Sequence, residues 1–103
     1  MDIEEIKRLA EKGNIQWRSH ILKRMSQRGI KIQEVIGAVE KAKIIEEYLN
    51  DFPFPSCLIL GYYHEKPFHI VCSVGQEYLW MITVYHPTEK YWMPDFETRR
   101  VSG

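Results

Sequence analysis

A chain of 103 residues, 45% of them hydrophobic, fits one domain whose folding buries about 60–65% of its extended-chain surface. Lys+Arg and Asp+Glu are matched at 14 each, which excludes a protein drawn to nucleic acid or membrane by its overall field. Any electrostatic function must then come from local segregation of charge. No apolar run approaches a membrane span, and the start Met1-Asp2-Ile3-Glu4-Glu5 lacks the basic and apolar stretches of a signal peptide. Cys57 and Cys72 make neither a disulfide framework nor a zinc site, so the expectation is a reduced, cytosolic protein without a metal.

In chain order, Ile3, Ile6, Leu9 and Ala10 recur at helical spacing over about residues 2–12, between a capping Asp2 and a closing Gly13. A second helix is predicted over about 15–28. Asn14 caps it, Trp17, Ile21, Leu22 and Met25 share one arc, and Gly29-Ile30 ends it in the manner of a Schellman motif. A third covers about 32–42, with Ile32, Val35, Ile36 and Val39 on its apolar side. At Ala42 the period changes to that of strands. Ile44–Leu49 reads as an edge strand, the two prolines of 50–55 mark a loop, and Ser56–Tyr63, Pro67–Val74 and Tyr78–His86 follow with short turns between them. The predicted fold is α+β, two or three N-terminal helices packed on a C-terminal antiparallel sheet of about four strands. Tyr78–Tyr85 is apolar on both faces and is placed centrally. The chain after Pro87 is irregular, pinned by Trp92 and Phe96.

The one clear segregation of charge lies between Trp17 and Gln33, which holds Arg18, Lys23, Arg24, Arg28 and Lys31 and no acidic residue. His20, Arg24 and Arg28 follow at i, i+4 and i+8, with Arg18 off that stripe, and the stripe borders the apolar arc. Guanidinium forks suit a phosphate, and an imidazole titrates near neutral pH, the combination that phosphodiester cleavage through a 2′-OH requires. A solvated basic face accounts for the same stripe equally well.

On the sheet, a hairpin turning about His64-Glu65 pairs Leu60 with His69 and Cys57 with Cys72. A three-residue loop Gly75-Gln76-Glu77 then pairs His69 with Thr83 and Val71 with Met81. Alternation collects His69, Thr83 and Tyr85 on one face with Leu58, Leu60, Val71 and Met81, and sends Ile59, Phe68, Ile70, Trp80, Ile82 and Val84 to the other, the main core. Tyr and Thr can bond a phosphate or ribose, and Tyr can stack a base. His69 read alone is as well explained as a satisfied core histidine, and the cysteines as two small buried hydrophobes.

The strings His20-Ile21-Leu22-Lys23-Arg24-Met25-Ser26-Gln27-Arg28-Gly29-Ile30 and Thr83-Val84-Tyr85-His86-Pro87, with Trp92 beyond, resemble a widespread prokaryotic family of small proteins of uncharacterised function. Leu60-Gly61, His69 and Arg99 match its later elements in order. Members of that family look like toxins of toxin–antitoxin pairs beside a zinc-ribbon antitoxin, and the helix-then-sheet order is similar to that of the RelE, BrnT and MqsR toxins. The resemblance implies a single RelE-like toxin domain, a cytoplasmic endoribonuclease of the mRNA interferase type needing no cofactor. Its partners would be RNA, free or on the ribosome, and a cognate antitoxin. Residues carried over as candidates are His20, Arg24, His69 and Tyr85 for catalysis, and Arg28, Thr83 and Arg99 for substrate binding. The competing reading is a non-catalytic module that docks a protein partner in an apolar-basic groove.

Overall fold

The computed structural model describes residues 1–101. Helix α1 spans Ile3–Glu11, β1 Ile15–Trp17, α2 Ser19–Gln27, α3 Ile32–Val39, β2 Lys43–Tyr48, β3 Ser56–Tyr63, β4 Lys66–Gly75 and β5 Tyr78–Tyr85. This is an α+β fold in which the five strands form one sheet in the order β1-β5-β4-β3-β2. Among the described residues no helix is long and apolar enough to cross a membrane.

Helix boundaries follow from capping. The Asp2 carboxylate accepts from the Glu4 N–H at 2.9 Å, and Glu4 and Glu5 place negative charge in the first turn. Gly13 at φ +77° closes α1, with Asn14 N–H donating to the Leu9 carbonyl and Gly13 N–H to that of Ala10, the paired bonds of a Schellman motif. Gly29 at φ +68° does the same for α2, with Ile30 N–H on the Met25 carbonyl at 2.8 Å.

Between these helices the structure corrects the sequence reading. Asn14 does not cap a helix; Ile15-Gln16-Trp17 is a strand, pairing parallel with Leu79-Trp80-Met81, and α2 begins only at Ser19. The sheet is therefore mixed, with five strands rather than about four antiparallel ones. Two β-branched or aromatic residues flanking a Gln suit a sheet edge better than a first helical turn, and the parallel partner lies too far along the chain to appear in local periodicity. With β4 on one side and the short β1 on the other, β5 is internal as predicted.

The β3–β4 hairpin has the predicted register, Leu60 opposite His69 and Cys57 opposite Cys72, turning through His64 and Glu65 at positive φ. The next turn differs. Gln76 and Glu77, both at positive φ, form a two-residue turn, so Gly75 faces Tyr78 and Cys72 faces Met81. A bulge then shifts the pairing, so that Val71 faces Thr83 and His69 faces Tyr85. The two departures cancel for Thr83 and Tyr85, which keep the predicted face. They do not cancel for Trp80 and Met81, which exchange faces: Met81 belongs to the core and Trp80 lies opposite Ser73 on the other side.

One sheet face, carrying Cys57, Ile59, Phe68, Ile70, Cys72, Leu79, Met81 and Val84, packs against Ile6, Leu9, Ile21, Met25, Val35 and Val39 of the helices. The opposite face carries Leu58, Leu60, His69, Val71 and Tyr85. The C-terminal segment returns over it. Trp92 pairs with Arg99 in an isolated bridge and is only 3% exposed, and Asp95 accepts from the Glu97 and Thr98 N–H groups to turn the chain between them. Ion pairs of Lys43 with Glu97 and of Glu46 with Arg99 tie this segment to β2. What reads in sequence as an irregular tail is a folded cover.

Candidate functional site

The site forms where this cover meets the sheet. His69 has no exposed surface, and both ring nitrogens are engaged: Nε2 lies 2.7 Å from the Phe96 carbonyl and Nδ1 lies 3.1 Å from the Tyr85 hydroxyl. A carbonyl can only accept, so Nε2 carries the proton and Nδ1 offers its lone pair to the Tyr85 O–H. The Trp92 ring stands edge-on to the imidazole at 4.4 Å, and the Arg99 guanidinium covers Trp92 at 4.7 Å from the ring centre. Arg99 in turn grips Glu46 bidentately, Nε to Oε2 at 2.7 Å and Nη2 to Oε1 at 2.9 Å, while the Tyr48 hydroxyl donates to Glu46 Oε1 at 2.6 Å. Tyr85, Tyr91, Trp92 and Arg99 line a shallow pocket of about 360 Å³.

The electrostatics follow from these contacts. Burial pushes the His69 pKa down from the ordinary histidine value, partly offset by the Phe96 carbonyl and the Glu46 charge. Burial pushes the Tyr85 phenol up, opposed by the charges of Arg99 and Arg28. The Arg99 hydrogen bonds hold Glu46 below the usual carboxylate range, and burial with the Glu46 contact raises Tyr48 to about 12. Because the folded protein disfavours His69 protonation, the unfolded chain binds the extra proton first. Stability is thus full above the ordinary histidine pKa of about 6.5 and is lost as pH falls toward and through the lower folded-state value. Glu46 adds a second loss of the same sign further down, as pH drops through its own depressed pKa. Melting temperature should be highest near pH 7 and decline below about 6.5, and His69→Gln should remove the upper part of that decline. A wild-type curve still flat at pH 5.5 would contradict this.

Of the remaining candidates, His20, Arg24 and Arg28 lie along α2 or at its C-terminal end and Thr83 lies on β5. That helix packs on β5, continuing along the sheet edge where β1 stops. Arg28 Nη1 donates to the Val84 carbonyl at 2.7 Å, next to Tyr85. Arg24 is exposed, and so is His20, at the opposite end of the stripe. His20 is not joined to His69: it lines a separate groove of about 730 Å³ with Arg18, Phe54, Trp80 and Ile82, whereas the neighbours of His69 come from β5 and the cover. The expected single pocket is two places at the two ends of β5. Thr83 stands on the His69 face, opposite Val71.

Sequence reasoning missed Glu46, Tyr48 and the Phe96 carbonyl. Glu46 and Tyr48 read as an edge-strand charge and a strand aromatic, yet their spacing of two already placed them on one face. The Phe96 carbonyl carries no side-chain signal at all. Cys57 and Cys72 lie 4.0 Å apart between their sulfurs, buried, with the Cys57 contact and burial pushing the Cys72 thiol up. Among the described residues no three His, Cys, Asp or Glu side chains are grouped as metal ligands.

No curated protein and no solved structure matches the chain to a significant degree. One family does match, over residues 17–86, a span from β1 to the residue after β5 that holds His20, Arg24, Arg28, Glu46, His69 and Tyr85 and stops short of Trp92 and Arg99. By that match, which covers most of its length, the chain belongs to the family described as a domain of unknown function, DUF4258.

Proposed function

We propose that the protein is an endoribonuclease that cleaves RNA through attack of the 2′-OH, working at the pocket where Tyr85 meets Arg99. The observation that carries this reading is the state of His69. Its Nε2–H is committed to the Phe96 carbonyl, so its Nδ1 draws the Tyr85 proton inward and turns the phenol oxygen's lone pairs toward the pocket. Tyr85 accepts the 2′-OH proton as its own proton passes to His69 Nδ1. The 2′-oxygen bonds to phosphorus, the bond from phosphorus to the 5′-oxygen breaks, and the departing oxygen takes a proton from water. The proton on His69 returns through Tyr85 to solvent. The products are a 2′,3′-cyclic phosphate and a 5′-hydroxyl end. The nucleophile is the RNA's own, so the step calls for no metal or cofactor.

Arg99 spends Nε and Nη2 on Glu46, leaving Nη1 for a phosphate oxygen, and Arg28 and Arg24 supply cationic flanks. The His20–Ile30 and Thr83–Trp92 motifs resemble a small uncharacterised family whose members look like toxins, and this supports a role as the toxin of a toxin–antitoxin pair, with a zinc-ribbon antitoxin as partner.

The test is purified protein with single-stranded RNA, with and without chelator and ribosomes. Fragments ending in a cyclic phosphate are expected, with chelator having no effect and DNA resisting cleavage. Intact RNA under every condition, with no growth arrest on induced expression, would overturn the proposal. Within that assay Arg99→Ala should cost about 10²-fold in kcat, the usual loss for a positioned charge donor. Arg99→Lys should recover little of it, since an ammonium cannot hold Glu46 and a phosphate as a planar fork does. Full activity in Arg99→Lys would remove the fork from the mechanism.

A further inference from the structure

The groove at the other end of β5 is built from a different set of side chains. Trp80 is fixed by its Nε1–H on the Gly75 carbonyl at 2.9 Å, and the Phe54 ring lies inclined at 29° to it, 6.5 Å between centroids. Phe52, on the same wall, is 95% exposed, far more than a side chain with a packing role. The Arg18 guanidinium sits over Trp80 at 5.4 Å from the ring centre, and His20 and Ile82 also line the groove. The one carboxylate on the wall, Asp51, is held by the Ser56 hydroxyl. The exposed Phe52 ring and the half-buried Trp80 and Phe54, beside a guanidinium and an imidazole, suit an unstacked nucleobase and its phosphate.

Groove and pocket are joined by the basic helix. Because β1 runs parallel to β5 and α2 continues in the same direction, Arg18 stands at Trp80 and Arg28 at Val84. Ten residues of helix rise about 15 Å, and four residues of strand from Trp80 to Val84 cover about 13 Å. The two ends of the track therefore match. Arg24 lies midway, one turn from both His20 and Arg28, and no acidic residue interrupts the stretch from Trp17 to Gln33. Such a length accommodates about two or three nucleotides of extended strand.

We infer that the Trp80–Phe54 groove is an RNA subsite. It stacks a base two or three nucleotides from the scissile phosphate, while Arg18 and the stripe from His20 to Arg28 track the backbone between. The inference rests on the proposed cleavage for what lies at the far end of the track, and it makes the substrate a single strand, since paired bases cannot enter the groove.

The experiment uses the full-length protein with a ten-nucleotide single-stranded RNA and a dinucleotide of the same cleavage step, read by cleavage kinetics. A 2′-O-methylated, uncleavable copy of the decamer is read by fluorescence anisotropy. Trp80→Ala should weaken binding of the decamer about ten- to hundredfold and raise its KM, with kcat and dinucleotide cleavage little changed. The exposed Arg18→Glu tests the same groove without removing a packed ring and should raise KM in the same direction. Wild-type cleavage with KM unchanged in both variants overturns the subsite and leaves the nuclease standing, and the groove then falls to a protein partner. Binding that depends on Trp80 without cleavage by wild type supports the subsite and overturns the nuclease. A wild type that neither binds nor cleaves RNA overturns both.

Discussion

Tyr85→Phe is expected to lower RNA cleavage by about 10²–10⁴-fold, the range for removal of a positioned acid–base group. The change deletes one oxygen and keeps the ring that meets the His69 imidazole at 5.2 Å. The fold should therefore persist, with about 1 kcal/mol lost from the unpaired His69 Nδ1. Because the hydroxyl acts on the reacting proton and not on substrate at large, the loss should fall on kcat with KM nearly unchanged. The pH profile identifies the relay. Only neutral His69 can accept the Tyr85 proton, so wild-type kcat should fall on the acid side, with a midpoint below the ordinary histidine value of about 6.5 because burial depresses it. His69→Gln should lose both rate and acid limb, whereas a merely structural histidine would leave the limb in place. Cleavage by Tyr85→Phe at the wild-type rate would eliminate the relay and shift attention to His20.

Gly61→Ala should be the most damaging single methyl in the protein. Gly61 lies in β3 directly beneath α3, and a Cβ there would stand 2.0 Å from the Ala38 carbonyl oxygen and 2.8 Å from its carbon. Those are backbone atoms of a helix seated on a buried strand, so neither side yields by a rotamer change. Overpacking of this kind costs about 3 kcal/mol, a fall in melting temperature on the order of 15 °C for a domain of this size. Gly29→Ala provides the contrast. No atom lies within 4 Å of its Cβ position, and only its positive φ is strained, so about 1 kcal/mol is expected. A Gly61→Ala protein melting within a few degrees of wild type would show that α3 can slide on the sheet.

Much of this arrangement was legible before any coordinates. The glycine stops at Gly13 and Gly29 and the first hairpin register follow from cap chemistry and local periodicity and appear in the structure, whereas the second helical arc is kept only in part, with Trp17 in β1 and Leu22 37% exposed. The parallel β1 did not, because three residues carry too little period to oppose a good N-cap such as Asn14. The turn at Gln76-Glu77 was misjudged since neither residue is a usual bearer of positive φ, and its consequence fell on Trp80 and Met81. At the site, His69 and Tyr85 were named from strand register and alternation, and Arg99 from the family resemblance. Their organiser was invisible: a backbone carbonyl at Phe96, and a Glu46 whose partner lies on the other side of the fold.

The pairing of β1 with β5 joins the fifteenth residue to the seventy-ninth, the longest-range strand contact in the sheet. Hairpins β3–β4 and β4–β5 close loops of two residues and can form early, while the β1 contact must close well over half of the chain. Docking of β1 also brings Arg18 to Trp80 and Arg28 to Val84. The central three strands can thus assemble as a nucleus that already sets His69 opposite Tyr85 and still lacks its cationic border. Loop-closure entropy therefore predicts that the border is completed after the hairpins have formed.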